Sequence, residues 1–154
     1  MPDPLLRPLV ALGFDFGSKR IGIAAGDSLT GTARPLGIVS CAGDGSPDWA
    51  GISRHVKEWD PEVFVVGVPY NMDGTPTALT TAATQFGNAL VERHGRHLVM
   101  VDERLSSREA EEMLRQRRAS GALNIRVTRG DIDAVSAVVL LQQWLRERNL
   151  QTRT

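Results

Sequence analysis

Three sets of acidic residues could carry hydrolytic chemistry in this chain. Asp15 stands between two phenylalanines at the end of a predicted strand, where a carboxylate needs a polar partner. The pair Asp102 and Glu103 closes another predicted strand, and Asp131 and Asp133 come at the start of the last predicted helix. Carboxylate oxygens are the ligands that hard divalent cations take in proteins, so metal ligation is one interpretation of these residues.

Each carboxylate also has a purely structural interpretation. Asp15 could cap a turn, Asp102 and Glu103 could compensate the dipole of the helix that follows, and an Asp at a helix start commonly serves as a cap. Successive strand residues point to opposite faces, so only one of Asp102 and Glu103 can face a site beside Asp15. Asp133 precedes small apolar residues that could approach a sheet closely, whereas Asp131 follows Arg-Gly in a predicted loop and looks like a cap. Asp133 is therefore preferred.

Basic residues are concentrated in one stretch of an otherwise neutral chain. Lys and Arg number 18, as do Asp and Glu, so the net charge indicates no partner. Residues 113–130 contain five arginines and no acid, which suits phosphate contacts beside a metal site, although a solvated loop could have the same composition. The candidate nucleic-acid contacts are Lys19, Arg20, Asn71, Arg104, Arg115, Arg117, Arg118, Arg126 and Arg129.

Several loop residues have competing interpretations. Lys19 could simply be a hairpin-turn residue, and Arg20 could form a structural ion pair with a carboxylate of the site. Asn71 follows a central strand, where open parallel sheets bind ligands, but it is equally a turn residue. Asp73 is a possible additional metal ligand, although Asp-Gly is an ordinary turn pair.

Length and composition limit the class of protein. At 154 residues, 42% hydrophobic and 23% charged, the chain is near the globular average for one domain, which excludes disorder, collagen and coiled coil. No apolar run approaches the roughly 20 residues that a membrane span needs. The single Cys41 and three scattered histidines show no zinc spacing and fit a reducing cytoplasm. Residues 1–8 are predicted to be a flexible tail and residues 9–149 one domain.

The elements that must position these residues follow from apolar periodicity and turn signals. The predicted strands are a hairpin over residues 9–27 turning at 17–19, then 36–40, 62–68 and 98–101. Four helices are predicted. The first carries the apolar stripe Trp49, Ile52, Val56 and Trp59, and the second starts at Thr75 as N-cap with Pro76 in the first turn. The third begins after Leu105, and the fourth covers residues 134–146. The order predicts a mixed five-stranded sheet with helices on both faces.

Four motifs in this chain resemble one protein family. DFGSKRIGIA at 15–24, VGVPYNMDGT at 66–75, DERL at 102–105 and DAVSAVVLL at 133–141 resemble the YqgF family, also called RuvX, and the match covers nearly all of residues 9–145. The family is described as pre-16S rRNA nucleases and Holliday-junction-resolvase-like proteins. The resemblance implies a ribonuclease-H-like α/β fold and a bacterial cytoplasmic protein. By the family pattern, Asp15, Glu103 and Asp133 are the catalytic residues and metal ligands.

The resemblance implies a nuclease that uses Mg²⁺ or Mn²⁺ to hydrolyse phosphodiester bonds, with the 5′ region of precursor 16S rRNA in a pre-ribosomal particle as substrate. In a strand order 3-2-1-4-5, the first and fifth strands lie about 10 Å apart, which two bridging metals and their carboxylates can span. A resolvase of branched DNA is an alternative that needs two active sites and hence a dimer. A ribosome-associated RNA-binding factor with weak turnover is another, since no fourth acid is unambiguous. Monomer and weak homodimer both stay open.

Overall fold

The structure of the chain, a computed structural model, describes residues 8–17, 19–102 and 129–152, without the side chains of 129–133 and 149–152. Its strands are β1 (Val10–Phe16), β2 (Arg20–Asp27), β3 (Thr32–Ser40), β4 (Val63–Val68) and β5 (His97–Asp102). Its helices are α1 (Trp49–Trp59), α2 (Ala78–His94) and α3 (Arg129–Thr152). The described residues include no helix long and apolar enough to cross a membrane.

The five strands form one mixed sheet in the order β3-β2-β1-β4-β5. The short connections make β1, β2 and β3 an antiparallel meander, whereas the crossovers through α1 and α2 make β4 parallel to β1 and β5 parallel to β4. The predicted fold class is confirmed, and the strand order is the one assumed in the distance argument above. Because β1, β4 and β5 are parallel, they end at one side of the sheet, at Phe16, Val68 and Asp102, which we call the carboxyl edge.

Side-chain alternation divides the core into two layers. One sheet face carries residues such as Phe14 and Val66, which pack with α1 and α2, and we call it the α1/α2 face. The opposite face, which we call the α3 face, carries Ala11, Ala24 and Val65 and packs against α3. The two layers fix which residues at the carboxyl edge can meet.

Strand β3 is longer than its sequence indicated. It begins at Thr32 rather than at residue 36 and passes through Pro35 without a break. β3 is an edge strand, so a residue without an N–H can be accommodated there. The register shifts between Ile23 and Ala24 of β2, near Gly37 of β3, whose φ of +116° is accessible to glycine.

The prediction that α2 starts at Thr75 and Pro76 is wrong. The helix begins at Ala78, and Thr77 is the N-cap in a capping box with Thr80. The Thr75 hydroxyl instead donates to Asp73 Oδ1 at 2.7 Å, which holds Thr75 in the preceding loop. Three consecutive residues, Thr-Pro-Thr, offer two possible caps, and the capping box with Thr80 forms at the second of them.

The last helix starts five residues earlier than predicted. Because α3 begins at Arg129, Asp131 lies inside its first turn rather than in a loop, and Asp133 lies one residue before the predicted start. The stripe of α1 is confirmed, with Trp49 and Trp59 packed against the core. The helix predicted after Leu105 falls outside the described residues.

Candidate active site

Asp15 occupies an unusual position in the centre of the sheet. On β1 it pairs with Gly22 of the antiparallel neighbour β2 and with Gly67 of the parallel neighbour β4. Directly paired residues of adjacent strands normally place their side chains side by side, but glycine has none. The half-buried Asp15 therefore has no side chain beside it at either paired position, although both glycines are buried.

The side chain of Asp15 shares the face of the sheet that carries α3. A Cβ at Gly13 would lie 3.1 Å from Leu141 Cβ and 3.2 Å from the Ala137 carbonyl oxygen, so Gly13 faces the helix. Asp15 is two residues further along the strand and has the same orientation. The residues paired in one row across the five strands on this face are Ile38, Gly22, Asp15, Gly67 and Val101. Asp15 is the charged residue of this row.

Contacts along α3 show where the helix meets this row. Gly26, which pairs with Ala11, approaches Leu141 and Leu145, whereas Gly13 approaches Ala137 and Leu141. A step of two residues toward the end of β1, about 6.6 Å, is therefore matched by a step of four residues toward the start of α3, about 6 Å. One further step brings the backbone at position 133 level with Asp15. The side chain of Asp133 lies outside the described residues.

Asp102 lies at the carboxyl edge but on the other face. Leu98 and Met100 approach Gly87 of α2, and a Cβ at Gly87 would lie 3.2 Å from Leu98 Cδ2. Asp102 has the same strand parity and ends β5 on the α1/α2 face, opposite the face of Asp15. Of the two adjacent carboxylates, Asp102 is therefore not the one beside Asp15, and Glu103 lies outside the described residues.

The donor chemistry of Asp15 fits a hard divalent cation. Its carboxylate supplies oxygen ligands, and the residues paired with it on both neighbouring strands are glycines. Within residues 8–17, 19–102 and the described side chains of α3, no three His, Cys, Asp or Glu residues are grouped to hold a metal. Of the three predicted ligands, Glu103 and the side chain of Asp133 lie outside the described residues.

Arg20 is the described basic residue placed nearest to Asp15 by the strand register. It begins β2 two residues before Gly22, the partner of Asp15, and so occupies a diagonal position on the α3 face. Diagonal neighbours are about 7–8 Å apart, within reach of a long side chain. Lys19 is exposed in the hairpin turn, where the Gly17 N–H donates to the Arg20 carbonyl oxygen at 2.9 Å.

The remaining predicted basic contacts fall outside the described side chains. Arg129 is the first residue of α3, but only its backbone is described. The others lie outside the described residues, within 103–128: Arg104, Arg115, Arg117, Arg118 and Arg126. Their nucleic-acid role stays a prediction.

The loop that follows β4 uses its polar side chains to hold its own shape. Asn71 Nδ2 donates to Thr75 Oγ1 at 2.9 Å, and Asp73 Oδ1 accepts from the Thr75 N–H at 3.0 Å. These bonds match the turn interpretations of Asn71 and Asp73. Gly74, with φ of +89°, closes the turn in a conformation that favours glycine.

The roles of Gly22 and Gly67 were missed from sequence. Both lie inside quoted motifs, and the signal was a glycine in the middle of a strand, which often marks a close approach of a ligand or backbone. Their pairing with Asp15 requires the register, which a single strand cannot reveal.

Comparison with known proteins identifies the family. The model of the RuvX family, described as Holliday junction resolvase, matches residues 9–147. The chain belongs to the RuvX family. A relative from Proteus mirabilis is 47% identical over 133 residues, covering 86% of this chain and 92% of the relative. One from Aeromonas salmonicida is 44% identical over 137 residues, with 89% and 94% covered. Both are named "Putative pre-16S rRNA nuclease".

Solved structures confirm the fold of this RuvX-family chain. RuvC from Thermus thermophilus in complex with a Holliday junction substrate superposes with a TM-score of 0.55 at 16% identity, covering 91% of this chain and 95% of that one. The yeast mitochondrial Holliday junction resolvase gives 0.51 at 13% identity, with 93% and 80% covered. At these identities the likeness establishes a shared architecture only. The family and fold expected from the sequence motifs are thus confirmed.

Proposed function

We propose that this RuvX-family chain is a divalent-metal-dependent nuclease that processes the 5′ end of precursor 16S rRNA in the bacterial cytoplasm. The observation that carries the proposal is the half-buried Asp15, held on the α3 face between Gly22 and Gly67. The family match and the nuclease names of the bacterial relatives support hydrolysis of phosphodiester bonds and an RNA substrate.

The proposed metal ligands are Asp15, Glu103 and Asp133. Position 133 is brought level with Asp15 by the progression of contacts along α3, and the placement of Asp102 on the opposite face favours Glu103 as the third acid. Mg²⁺ or Mn²⁺ bound there would lower the pKa of the attacking water and stabilise the leaving oxygen.

The protein's own contribution is to orient the carboxylate and to attract the phosphate. The paired strands on both sides fix the backbone of Asp15, so the face of the sheet on which its carboxylate lies is set before substrate arrives. We assign Arg20, on the same face, to a phosphate oxygen beside the metal ligands. The arginines of residues 113–130 extend this basic surface, which binds the RNA backbone without reading its sequence.

Cleavage of branched DNA is a second candidate, favoured by the description of the matching family as Holliday junction resolvase. Symmetric cleavage of a four-way junction requires two active sites, and therefore a dimer of this chain. The two candidates use the same three carboxylates, so the substrate and the number of cuts distinguish them.

The deciding experiment compares a short precursor 16S RNA with a four-way DNA junction. Wild type, Asp15→Asn and a control are each assayed with Mg²⁺, Mn²⁺ or EDTA. The control is Asp27→Asn, which lies at the end of β2, beside the start of β1 and away from the carboxyl edge. Metal-dependent cutting of RNA that only Asp15→Asn abolishes is the expected result. Paired nicks in the junction alone would establish the resolvase. Retention of RNA without cutting of either substrate would instead support a binding factor and overturn the nuclease.

A further inference from the structure

A pocket of about 310 Å³ opens where β2 ends and where β1 and β3 begin, away from the carboxyl edge. Trp59, the last residue of α1, is part of its lining, and we call it the Trp59 pocket. Two side chains of opposite charge also line it, Asp27 of β2 and Arg34 of β3. We propose that this pocket binds a free α-amino acid with a large apolar side chain.

The uncharged part of the lining suits an apolar side chain. Strand residues with small side chains, Ala25, Gly26 and Ala33, line the pocket together with the half-buried Val10. Trp59, which packs against the core of the α1/α2 face, adds an aromatic ring. The volume is at the lower limit for ligand pockets, so the matching ligand is small and mainly apolar.

Arg34 supplies hydrogen-bond donors at this pocket. Its exposed guanidinium lies over the Trp59 ring, 5.0 Å from the ring centroid. Within the described part of the chain it forms no ion pair and no hydrogen bond. A guanidinium that stacks through its face keeps the N–H donors along its edge, and these bind a carboxylate through two parallel hydrogen bonds.

Asp27 supplies the matching acceptor. Its Oδ1 accepts a hydrogen bond from the Leu29 N–H at 2.8 Å, which orients the carboxylate at the end of β2. Among the described residues, no side chain or backbone donor is bonded to its second oxygen, Oδ2. An ammonium group carries three donors and no acceptor, so it complements that oxygen.

The two charges are placed for a ligand that carries both signs. Arg34 pairs with Ala25, and Asp27 lies two residues after Ala25 on the same face of the sheet. Diagonal neighbours of this kind are about 7–8 Å apart. Asp27 and Arg34 form no ion pair with each other. An α-amino acid has its carboxylate and its ammonium group on one carbon, so it can lie between the two side chains.

The Trp59 pocket is separate from the proposed nuclease site. Val10 and Asp15 are five residues apart on β1, which corresponds to about 17 Å. Val10 also shares the α1/α2 face with Leu12 and Phe14, whereas Asp15 lies on the α3 face. A ligand in the pocket therefore does not contact the scissile phosphate, and the inference does not depend on the nuclease.

The test is a titration of the full chain with amino acids, without metal or RNA, followed by the NMR signal of the Trp59 indole N–H. The probes are L-leucine, glycine, leucinamide, which lacks the carboxylate, and N-acetylleucine, which lacks the ammonium group. The signals of Trp49 and Trp144, which do not line the pocket, are internal controls.

Wild type should bind L-leucine about threefold to fivefold more tightly than leucinamide or N-acetylleucine, because an exposed ion pair contributes about that factor. Glycine should bind at least about tenfold more weakly than leucine, because it buries no side chain. Equal binding of leucine, leucinamide and N-acetylleucine would overturn the inference. So would an unchanged Trp59 signal at millimolar leucine.

A neutral peptide-like probe tests the main competing occupant. N-acetylleucinamide has the apolar side chain and two amide groups but neither charge. We expect it to bind more weakly than leucine. Tighter binding of this probe would identify the pocket as a docking site for a protein segment and would contradict a site for free amino acids.

Matched variants assign each charge of the ligand to one side chain. Arg34→Gln should make leucine and leucinamide bind equally, and Asp27→Asn should do the same for leucine and N-acetylleucine. The controls are Arg54→Gln on α1 and Asp44→Asn in the loop before α1, both exposed and outside the pocket lining, and they should keep both preferences. Preferences that persist in Arg34→Gln and in Asp27→Asn would place the amino acid elsewhere and overturn the inference.

Discussion

Gly13 of β1 faces Leu141 of α3 across the interface between sheet and helix. A Cβ at position 13 would lie 3.1 Å from Leu141 Cβ, closer than side chains normally pack. The absence of a side chain at Gly13 thus sets the distance between α3 and β1, two residues before Asp15. The same contact determines how close position 133 of the helix comes to that carboxylate.

Replacing Gly13 with alanine should therefore destabilise the protein and disturb the proposed site together. The added methyl group must displace Leu141 or the helix backbone, and overpacking of this kind costs about 1–3 kcal/mol. Thermal unfolding and RNA cleavage should both decline. Gly43→Ala is the matched control, because a Cβ there meets nothing within 4 Å. An unchanged melting temperature in Gly13→Ala would show that α3 adjusts freely.

Mg²⁺ should stabilise the wild-type protein through Asp15. A ligand that binds only the folded state raises its stability, and each kcal/mol raises the melting temperature by about 2–4 °C for a chain of this size. We expect a shift of a few degrees in wild type and in Asp27→Asn, and none in Asp15→Asn. Differential scanning fluorimetry with and without EDTA measures this. Equal shifts in all three proteins would place the bound ion elsewhere.

Arg20 should contribute to RNA binding through a phosphate. Arg20→Gln is expected to weaken binding of all sequences alike and to reduce the slope of log affinity against log salt by about 0.7 for a single strand. Arg34→Gln, which removes a guanidinium stacked 5.0 Å from the Trp59 ring centroid near the opposite edge, should leave the slope unchanged. A lower melting temperature with an unchanged slope in Arg20→Gln would instead identify a structural ion pair.

The architecture could be predicted because local patterns and global topology agree. The hairpin over residues 9–27 and the apolar run at 62–68 both have the patterns of strands, and the alternating helices and strands that follow imply parallel pairing through right-handed crossovers, as observed. Asp15 was identifiable because a carboxylate between two phenylalanines is out of place in a strand. What the sequence could not supply is register, which alone pairs Asp15 with Gly22 and Gly67.

The two wrong boundaries have different causes. Pro35 resembles a strand break, but β3 is an edge strand on which a missing N–H costs little. Thr75 and Thr77 are both acceptable N-caps by local propensity, and the choice follows from contacts of Asp73 and Thr80 within the folded loop. The first outcome depends on where β3 lies in the sheet, whereas the second depends on side-chain bonds that span only two or three residues.

Thr80 should prove a stability determinant that joins α2 to the loop that follows β4. It is buried, its N–H donates to Thr77 Oγ1 at 3.1 Å, and its hydroxyl accepts from the Thr77 N–H at 2.8 Å. Thr80→Val keeps the shape but removes the hydroxyl, which leaves the Thr77 N–H and the Pro69 carbonyl oxygen without their partner, so we expect a loss of about 1–2 kcal/mol in chemical denaturation. The same change at exposed Thr81 should have little effect. Equal losses in both variants would point to helix propensity rather than to the capping box.

His94 should make the fold less stable in mild acid. It is half-buried beside Phe64, and burial, followed by the charges of Arg96 and Arg93, lowers its pKa from the ordinary 6.5. The unfolded chain therefore binds a proton on this side chain at a higher pH than the folded protein does. The stability contribution is complete above the ordinary pKa and is lost as the pH falls through that value toward the lowered one.

We accordingly expect the unfolding free energy of wild type to decrease between about pH 7.5 and pH 5.5, and His94→Gln to flatten that decrease. Urea denaturation at several pH values measures both slopes. Because burial is the largest cause, 0.5 M salt should screen only the smaller part that comes from the two arginines. A slope that is the same in wild type and His94→Gln would assign the acid sensitivity to other groups, and a slope abolished by salt would make charge, rather than burial, the dominant cause.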